Sequence, residues 1–246
     1  MPIITLLTDF GTADGYVAEM KGVLLTEIPN ATVVDITHDI PPHDVDAGRL
    51  ALARFWRRFP RGTVHLAVVD PGVGSTRAAI AVESEGRFFV GPDNGLLTPG
   101  LLVPAARVVR VDVPAQASAT FHGRDVFAPA AARLAMGTEL SILGAEHASP
   151  IVRRTPEPQR GPAGELVGQV ISIDRFGNAV TNLVGMRGAT VVAEGRELPL
   201  KRTYSELDPG QAGAVVGSAG LIEIVVREGR ASELLSLTRG SRVWLR

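Results

Sequence analysis

Val64-His65-Leu66-Ala67-Val68-Val69-Asp70-Pro71-Gly72-Val73-Gly74-Ser75-Thr76-Arg77 carries the pattern that decides the fold. An apolar run broken only by His65 ends at an acid, passes through a glycine-rich turn and reaches an arginine. A buried strand delivers a carboxylate to its carboxyl end, and the glycines let the loop approach a ligand without Cβ clashes. Arg77 opens the next apolar run and can return a guanidinium to the same place. Open α/β sheets bind ligands at this edge, so the stretch reads as half of an active site. The same residues also suit a tight turn with a surface ion pair.

Upstream, Ile3–Leu7 is a short strand pattern that runs into Thr8-Asp9-Phe10-Gly11-Thr12. Val17, Met20, Val23, Leu24 and Ile28 recur at helical spacing until Pro29-Asn30. Thr32–Thr37 is a second strand. Asp44 is placed to cap a second helix whose apolar positions Val45, Leu52, Phe55, Trp56 and Phe59 share a face. Strand, helix, strand, helix, strand predicts parallel pairing with helices covering the sheet. Downstream, Ala78–Val82 and Arg87–Val90 form a hairpin, so the sheet is expected to be mixed. Arg107–Val111 adds a strand, and Asp125–Leu134 reads as a helix.

The character changes near Ser149. Pro150, Pro156, Pro158, Gly161, Pro162 and Gly164 crowd one segment without an apolar period. The expected organisation is an N-terminal α/β domain over 1–150, a Pro/Gly-rich linker over 151–164 and a C-terminal domain over 165–246. Leu166–Ile173, Ala179–Leu183, Thr190–Val192, Leu221–Val226 and Arg242–Leu245 are strand-like, with a short helix near Ala231–Leu237. Many short strands in so little chain predict a small antiparallel, barrel-like β domain.

Composition bounds the function. The chain has 246 residues, of which 45% are hydrophobic and 21% charged, the balance of an ordinary globular protein. A formal net charge of -1 without a long basic run argues against a nucleic-acid partner. There are no cysteines, which removes disulfides, thiolate metal sites and a cysteine nucleophile, and fits a reducing compartment. Met1–Leu7 lacks the basic start and length of a signal segment, and no window approaches a membrane span. A cytoplasmic protein without a membrane partner is expected.

Four further clusters carry chemistry. Asp9 stands at a strand end, where a carboxylate can accept from both hydroxyls of a ribose or simply cap a turn. Its Asp-Phe-Gly is not a kinase signature, since no catalytic-loop motif precedes it. Gly91-Pro92-Asp93-Asn94-Gly95 reads as a turn. His122, in Phe121-His122-Gly123-Arg124-Asp125, sits beside a glycine at a helix entrance, where bound anions and a neutral imidazole are favoured. In Asp174-Arg175-Phe176-Gly177-Asn178 a phenyl ring offers a stacking face, and an amide matches the N6 and N7 edge of adenine. Other histidines (His38, His43, His65, His147) show no metal-ligand spacing, so no metal is assigned. Dinucleotide, P-loop and nucleophile-elbow motifs are absent, so an adenosine-containing ligand would be held another way.

Met20-Lys21-Gly22, Val34-Asp35-Ile36-Thr37-His38 and Gly95-Leu96-Leu97 complete the set. In this order the segments resemble the S-adenosyl-L-methionine (SAM) hydroxide adenosyltransferases, relatives of the SAM-dependent fluorinase and chlorinase, along nearly the whole chain. The resemblance implies a hydrolase that cleaves SAM to adenosine and L-methionine by attack of water or hydroxide at ribose C5′, with SAM as substrate and no cofactor. It implies a homotrimer with SAM held between subunits. By motif, Asp70, Arg77 and His122 match the family's hydroxide triad and Asp9 its ribose-binding acid. Phe176 and Asn178 match the adenine contacts, Asp174 the acid near the methionine amine, and Ser218 a serine near the methionine carboxylate. Departures fall at Arg227 and Arg230, at Ala219 (an arginine in halogenating members) and at His43 (a tryptophan there). A non-catalytic SAM or adenosine sensor and a halide transferase are the alternative expectations. The acid Asp70 would repel a halide and disfavours the latter.

Overall fold

A computed structural model describes residues 1–185 and 189–246. The chain divides into two compact units, Met1–Arg154 and Thr155–Arg246. In the first, the order is β1 (Ile3–Thr8), α1 (Tyr16–Glu27), β2 (Thr32–Thr37), α2 (Val45–Phe55), β3 (Val64–Val68), β4 (Ala79–Ser84), β5 (Arg87–Pro92), α3 (Thr98–Leu101), β6 (Arg107–Val111) and α4 (Ala128–Ala135). The six strands lie in the order β2-β1-β3-β5-β4-β6. β1 pairs in parallel with β2 and β3, and β3 with β5, whereas β4 runs antiparallel to both β5 and β6. The expected mixed sheet with flanking helices is thus observed.

Alternation along the central strands sends successive side chains to opposite faces. Ile4, Leu6, Leu66 and Val68 pack with α1 and α4, while Leu7, Ala67 and Val69 pack with α2 and the Leu96–Leu97 turn. With both faces covered, β3 is buried throughout, which is why it reads as a nearly unbroken apolar run. Asp44 caps α2 as expected, its Oδ1 accepting from Ala47 N–H at 2.9 Å. The helix anticipated at Asp125–Leu134 begins earlier and differently. Gly123–Phe127 forms a π-type turn, with Ala128 N–H bonded back to Gly123 O, and α4 follows.

The second unit contains β7 (Gln159–Arg160), β8 (Leu166–Ile173), β9 (Ala179–Val184), β10 (Val191–Ala193), β11 (Arg196–Leu198), β12 (Leu200–Lys201), β13 (Ala212–Val216), β14 (Leu221–Val226), α5 (Ala231–Leu234) and β15 (Arg242–Leu245). The strand order is β11-β10-β15-β8-β9-β14-β13-β12, with β7 added beside β8. Pairing is antiparallel except between β12 and β13. β11 and β12 stand at opposite ends of this order yet only Pro199 separates them. A sheet whose first and last strands are one residue apart must wrap nearly closed, giving the barrel-like domain. Val170, Leu183, Ile222, Ile224 and Val243 fill its interior. Among the described residues, no helix is long and apolar enough to cross a membrane.

Candidate active site

Parallel strands β1 and β3 are in register at Thr8 and Val68, so Asp9 and Asp70 leave the sheet from neighbouring strands at the same edge. The Gly72–Ser75 turn then brings Arg77 back onto Asp70. Gly74 is required there. Its φ of +75° is left-handed, and a Cβ would fall 2.5 Å from Ala119 O. That close approach sets the turn against the segment leading to His122.

Arg77 and Asp70 form a two-pronged ion pair. Nε donates to Oδ1 at 2.9 Å and Nη2 donates to Oδ2. The Asp70 side chain is 5% exposed and that of Arg77 10%, so the pair is shielded from solvent. Nη2 also lies 3.1 Å from His122 Nδ1. A guanidinium only donates, so Nδ1 is the acceptor and the imidazole proton resides on Nε2. Burial, and then the Arg77 charge, push the His122 pKa below its ordinary value, keeping the ring neutral. Nη1 donates to Ala78 O at 3.1 Å. Four of the five guanidinium protons are therefore committed, to Oδ1, Oδ2, Nδ1 and Ala78 O, and one Nη1 proton remains. Phe127 closes the apolar side, 5.2 Å from its ring centre to the guanidinium carbon.

Asp9 is held from outside its own loop: His43 N–H donates to Oδ2 at 2.8 Å. The loop itself rests on a buried histidine that spacing alone left unassigned. His38 Nδ1 is 2.8 Å from Thr8 Oγ1, and Nε2 is 3.2 Å from Asp35 Oδ1. Lys21 Nζ completes the chain at 2.5 Å from Asp35 Oδ2. Phe10 N–H donates to Thr8 Oγ1 and Gly11 N–H to His38 O, so the network shapes the turn around Asp9. At the other entrance, Arg124 donates to Asp125 and Glu19 and holds the Asp125 carboxyl below the usual range, bracing the turn that carries His122.

In the second unit, Asp174–Asn178 is a turn organised by its first residue. Asp174 Oδ1 accepts from the backbone N–H groups of Phe176 (2.9 Å) and Asn178 (2.8 Å), and Oδ2 accepts from Asn178 Nδ2 at 2.9 Å. Phe176 is left 73% exposed while Asn178 is buried. Arg230 braces the turn: Nη1 donates to Arg175 O at 2.9 Å, and its Cβ lies where any Cβ on Gly177 would collide. Ser218 sits exposed in the β13–β14 turn. Beneath it is Glu223, a buried carboxylate missed in the sequence although a charge inside Leu221–Val226 was the available signal. Tyr204 Oη donates to Glu223 at 3.4 Å; burial, then the charges of Glu223 and Asp174, raise its pKa. The structure thus joins Asp70 and His122 through Arg77, which touches both, and gathers Asp174, Phe176 and Asn178 into one turn.

Two family descriptions match in tandem: the SAM hydroxide adenosyltransferase N-terminal domain over residues 4–144 and its C-terminal domain over residues 168–244. This chain belongs to the SAM hydroxide adenosyltransferase family. Among similar members is a protein of Thermus thermophilus described as (R)-S-adenosyl-L-methionine hydrolase, 44% identical over 98% of both chains. A protein of the same description from Salinispora arenicola is 40% identical over 98% of this chain and 97% of its own. A fluorinase from Actinopolyspora mzabensis is 35% identical over 74% and 71%. The fold also matches a Thermotoga maritima crystal structure with a TM-score of 0.89 at 33% identity, covering 98% and 99% of the two chains.

Proposed function

We propose that this chain hydrolyses SAM to adenosine and L-methionine, water attacking ribose C5′. The observation that carries this reading is the contact of Asp70, Arg77 and His122 at the sheet edge beside Asp9, in a chain 40–44% identical to proteins described as SAM hydrolases. SAM is a sulfonium, so its leaving group departs neutral and the weak partner is the nucleophile. Water is a far weaker acid than a free aspartic acid, whose pKa is about 3.9, so Asp70 cannot deprotonate water beforehand. A concerted step follows. The O–C5′ bond forms as C5′–S breaks, the electron pair goes to sulfur, and Asp70 orients the water and receives its proton as attack proceeds. Arg77, with most of its protons committed, acts chiefly through its charge and by aligning its partners. The protonated Nε2 of His122 supplies a donor to the developing hydroxide.

Asp9 binds the ribose diol, Phe176 stacks on adenine and Asn178 reads its edge. Asp174 faces the methionine amine and Ser218 the carboxylate. SAM supplies its own activation, and the step draws on no metal or added cofactor. The functional particle on this reading is a cytoplasmic homotrimer in which triad and adenine contacts come from different subunits. Support for that assembly is the family's motif order and the division of these residues between two folded units. Incubation with SAM followed by chromatography tests the reaction: adenosine and methionine accumulate, EDTA leaves turnover unchanged, and ¹⁸O from labelled water enters the 5′-hydroxyl. Tight SAM binding with no adenosine would make the protein a sensor instead.

A further inference from the structure

The Gly91–Gly95 turn reads in sequence as a simple reversal, yet its side chains do not serve the turn alone. The β3–β5 ladder ends at Leu66–Val90 and the β3–β1 ladder at Val68–Thr8, so the Val69 carbonyl lies beyond both. Asn94 takes it up: Nδ2 donates to Val69 O at 2.8 Å, while Oδ1 accepts from Leu96 N–H at 3.1 Å and holds the amide in orientation. Val69 immediately precedes Asp70. At the far end of the same loop, Asp93 N–H donates to Ala78 O at 2.9 Å, and that oxygen also accepts from Arg77 Nη1. One turn therefore grips the Asp70–Arg77 loop on both sides, before the acid and after the arginine. The turn is itself anchored, because Asp93, almost wholly buried, accepts from Ile151 N–H at 2.7 Å and lies 2.9 Å from His147 Nε2.

We propose that Asn94 is a positioning residue for the hydrolysis: by donating to Val69 O it fixes the direction in which Asp70 leaves the strand, and with it the Asp70–Arg77 fork. The Asn94 amide is engaged with backbone at both ends, so it acts through Asp70, and the inference rests on the function proposed above. An attacking water must be aligned to within tenths of an ångström, so loosening the strand exit lowers the chemical step rather than binding.

The test compares wild type, Asn94→Asp and Asn94→Ala by SAM hydrolysis, each rate normalised to SAM-binding stoichiometry and measured well below Tm. Asp keeps the acceptor for Leu96 N–H but, ionised, cannot donate to Val69 O. Both variants are expected to lose about 10- to 100-fold in kcat with KM for SAM within about threefold. In Asn94→Asp the ratio of variant to wild-type kcat should climb as pH falls, because the protonated carboxyl regains a donor; a role confined to stability would leave that ratio flat. Variant kcat within about threefold of wild type per folded molecule overturns the proposal, as does a flat ratio. Failure of both variants to fold would assign Asn94 to the fold and overturn it equally. A wild type that yields no adenosine fails the functional reading itself, and takes this inference with it, an outcome recognisable without any variant.

Discussion

At the scale of single residues, the function proposed above separates groups for chemistry from groups for binding. Asp70→Asn should lower kcat strongly with SAM affinity nearly intact, since the lost interaction matters mainly in the transition state. Asp9→Ala should instead weaken SAM binding by about 1.5–3 kcal/mol, the worth of charged hydrogen bonds to a diol. Calorimetric titration beside initial rates checks both; binding abolished by Asp70→Asn and untouched by Asp9→Ala would reverse the roles. His122→Ala should be milder than Asp70→Asn, because the Arg77 charge remains. The depressed pKa of His122 gives a sign to the pH profile. The neutral ring is the working form, so kcat holds down to the ordinary histidine pKa of about 6.5 and falls only below it. In His122→Asn that acid limb should vanish from the kcat profile.

Strands and helices were legible where one physical signal dominated. β1, α1, β2, α2 and β3 follow from apolar runs, helical spacing and a capping acid, and all lie where expected. β11, β12 and β13 escaped notice, because two or three residues carry no periodicity and Ala212–Val216 is short and small-sided. The π-type turn at Gly123 was equally invisible: a Cβ at Gly123 would come within 3.1–3.3 Å of Phe121, Met20 and Phe10, and the last two lie far away in sequence. Candidate site residues were legible as strand-end acids and turn motifs. Supports that act across strands (His38, Asn94 and Glu223) were not. A buried histidine within β3 yields a prediction for its whole layer. His65 is fully buried among Phe55, Phe59 and Phe89, accompanied by Thr5 Oγ1 at 2.8 Å, and burial drives its pKa down to about 4. The unfolded chain binds this proton more tightly, so the stability due to a neutral His65 is complete above pH 6.5 and drains away toward pH 4. Urea denaturation followed through Trp56 in a Trp244→Phe background should show about 2 kcal/mol lost between pH 7.5 and pH 5. His65→Gln should reduce that dependence, leaving the smaller part due to His122; an unchanged slope would mean that His65 does not carry it.

For the molecule as a whole, Asp70, Arg77 and His122 lie in one folded unit and the Asp174–Asn178 turn in the other. If the working site draws on two subunits, Asp70→Ala and Asn178→Ala chains, each inactive alone, should regain activity when refolded together. Sedimentation should report a trimer for wild type and mixture alike. An active monomer by the same measurement would rule this assembly out.

One contact bears on how such a catalyst can diversify. The bond that steadies Asp9 comes from the peptide N–H of His43, at φ +67°, and not from the imidazole. Position 43 is thereby decoupled: any side chain except proline's leaves the donor in place, and glycine or asparagine there would relieve the left-handed strain. A larger or smaller side chain at this spot would alter what lies next to Asp9 without unfastening it. Drift is cheap at such a residue because the backbone, which mutation does not rewrite, keeps the essential contact.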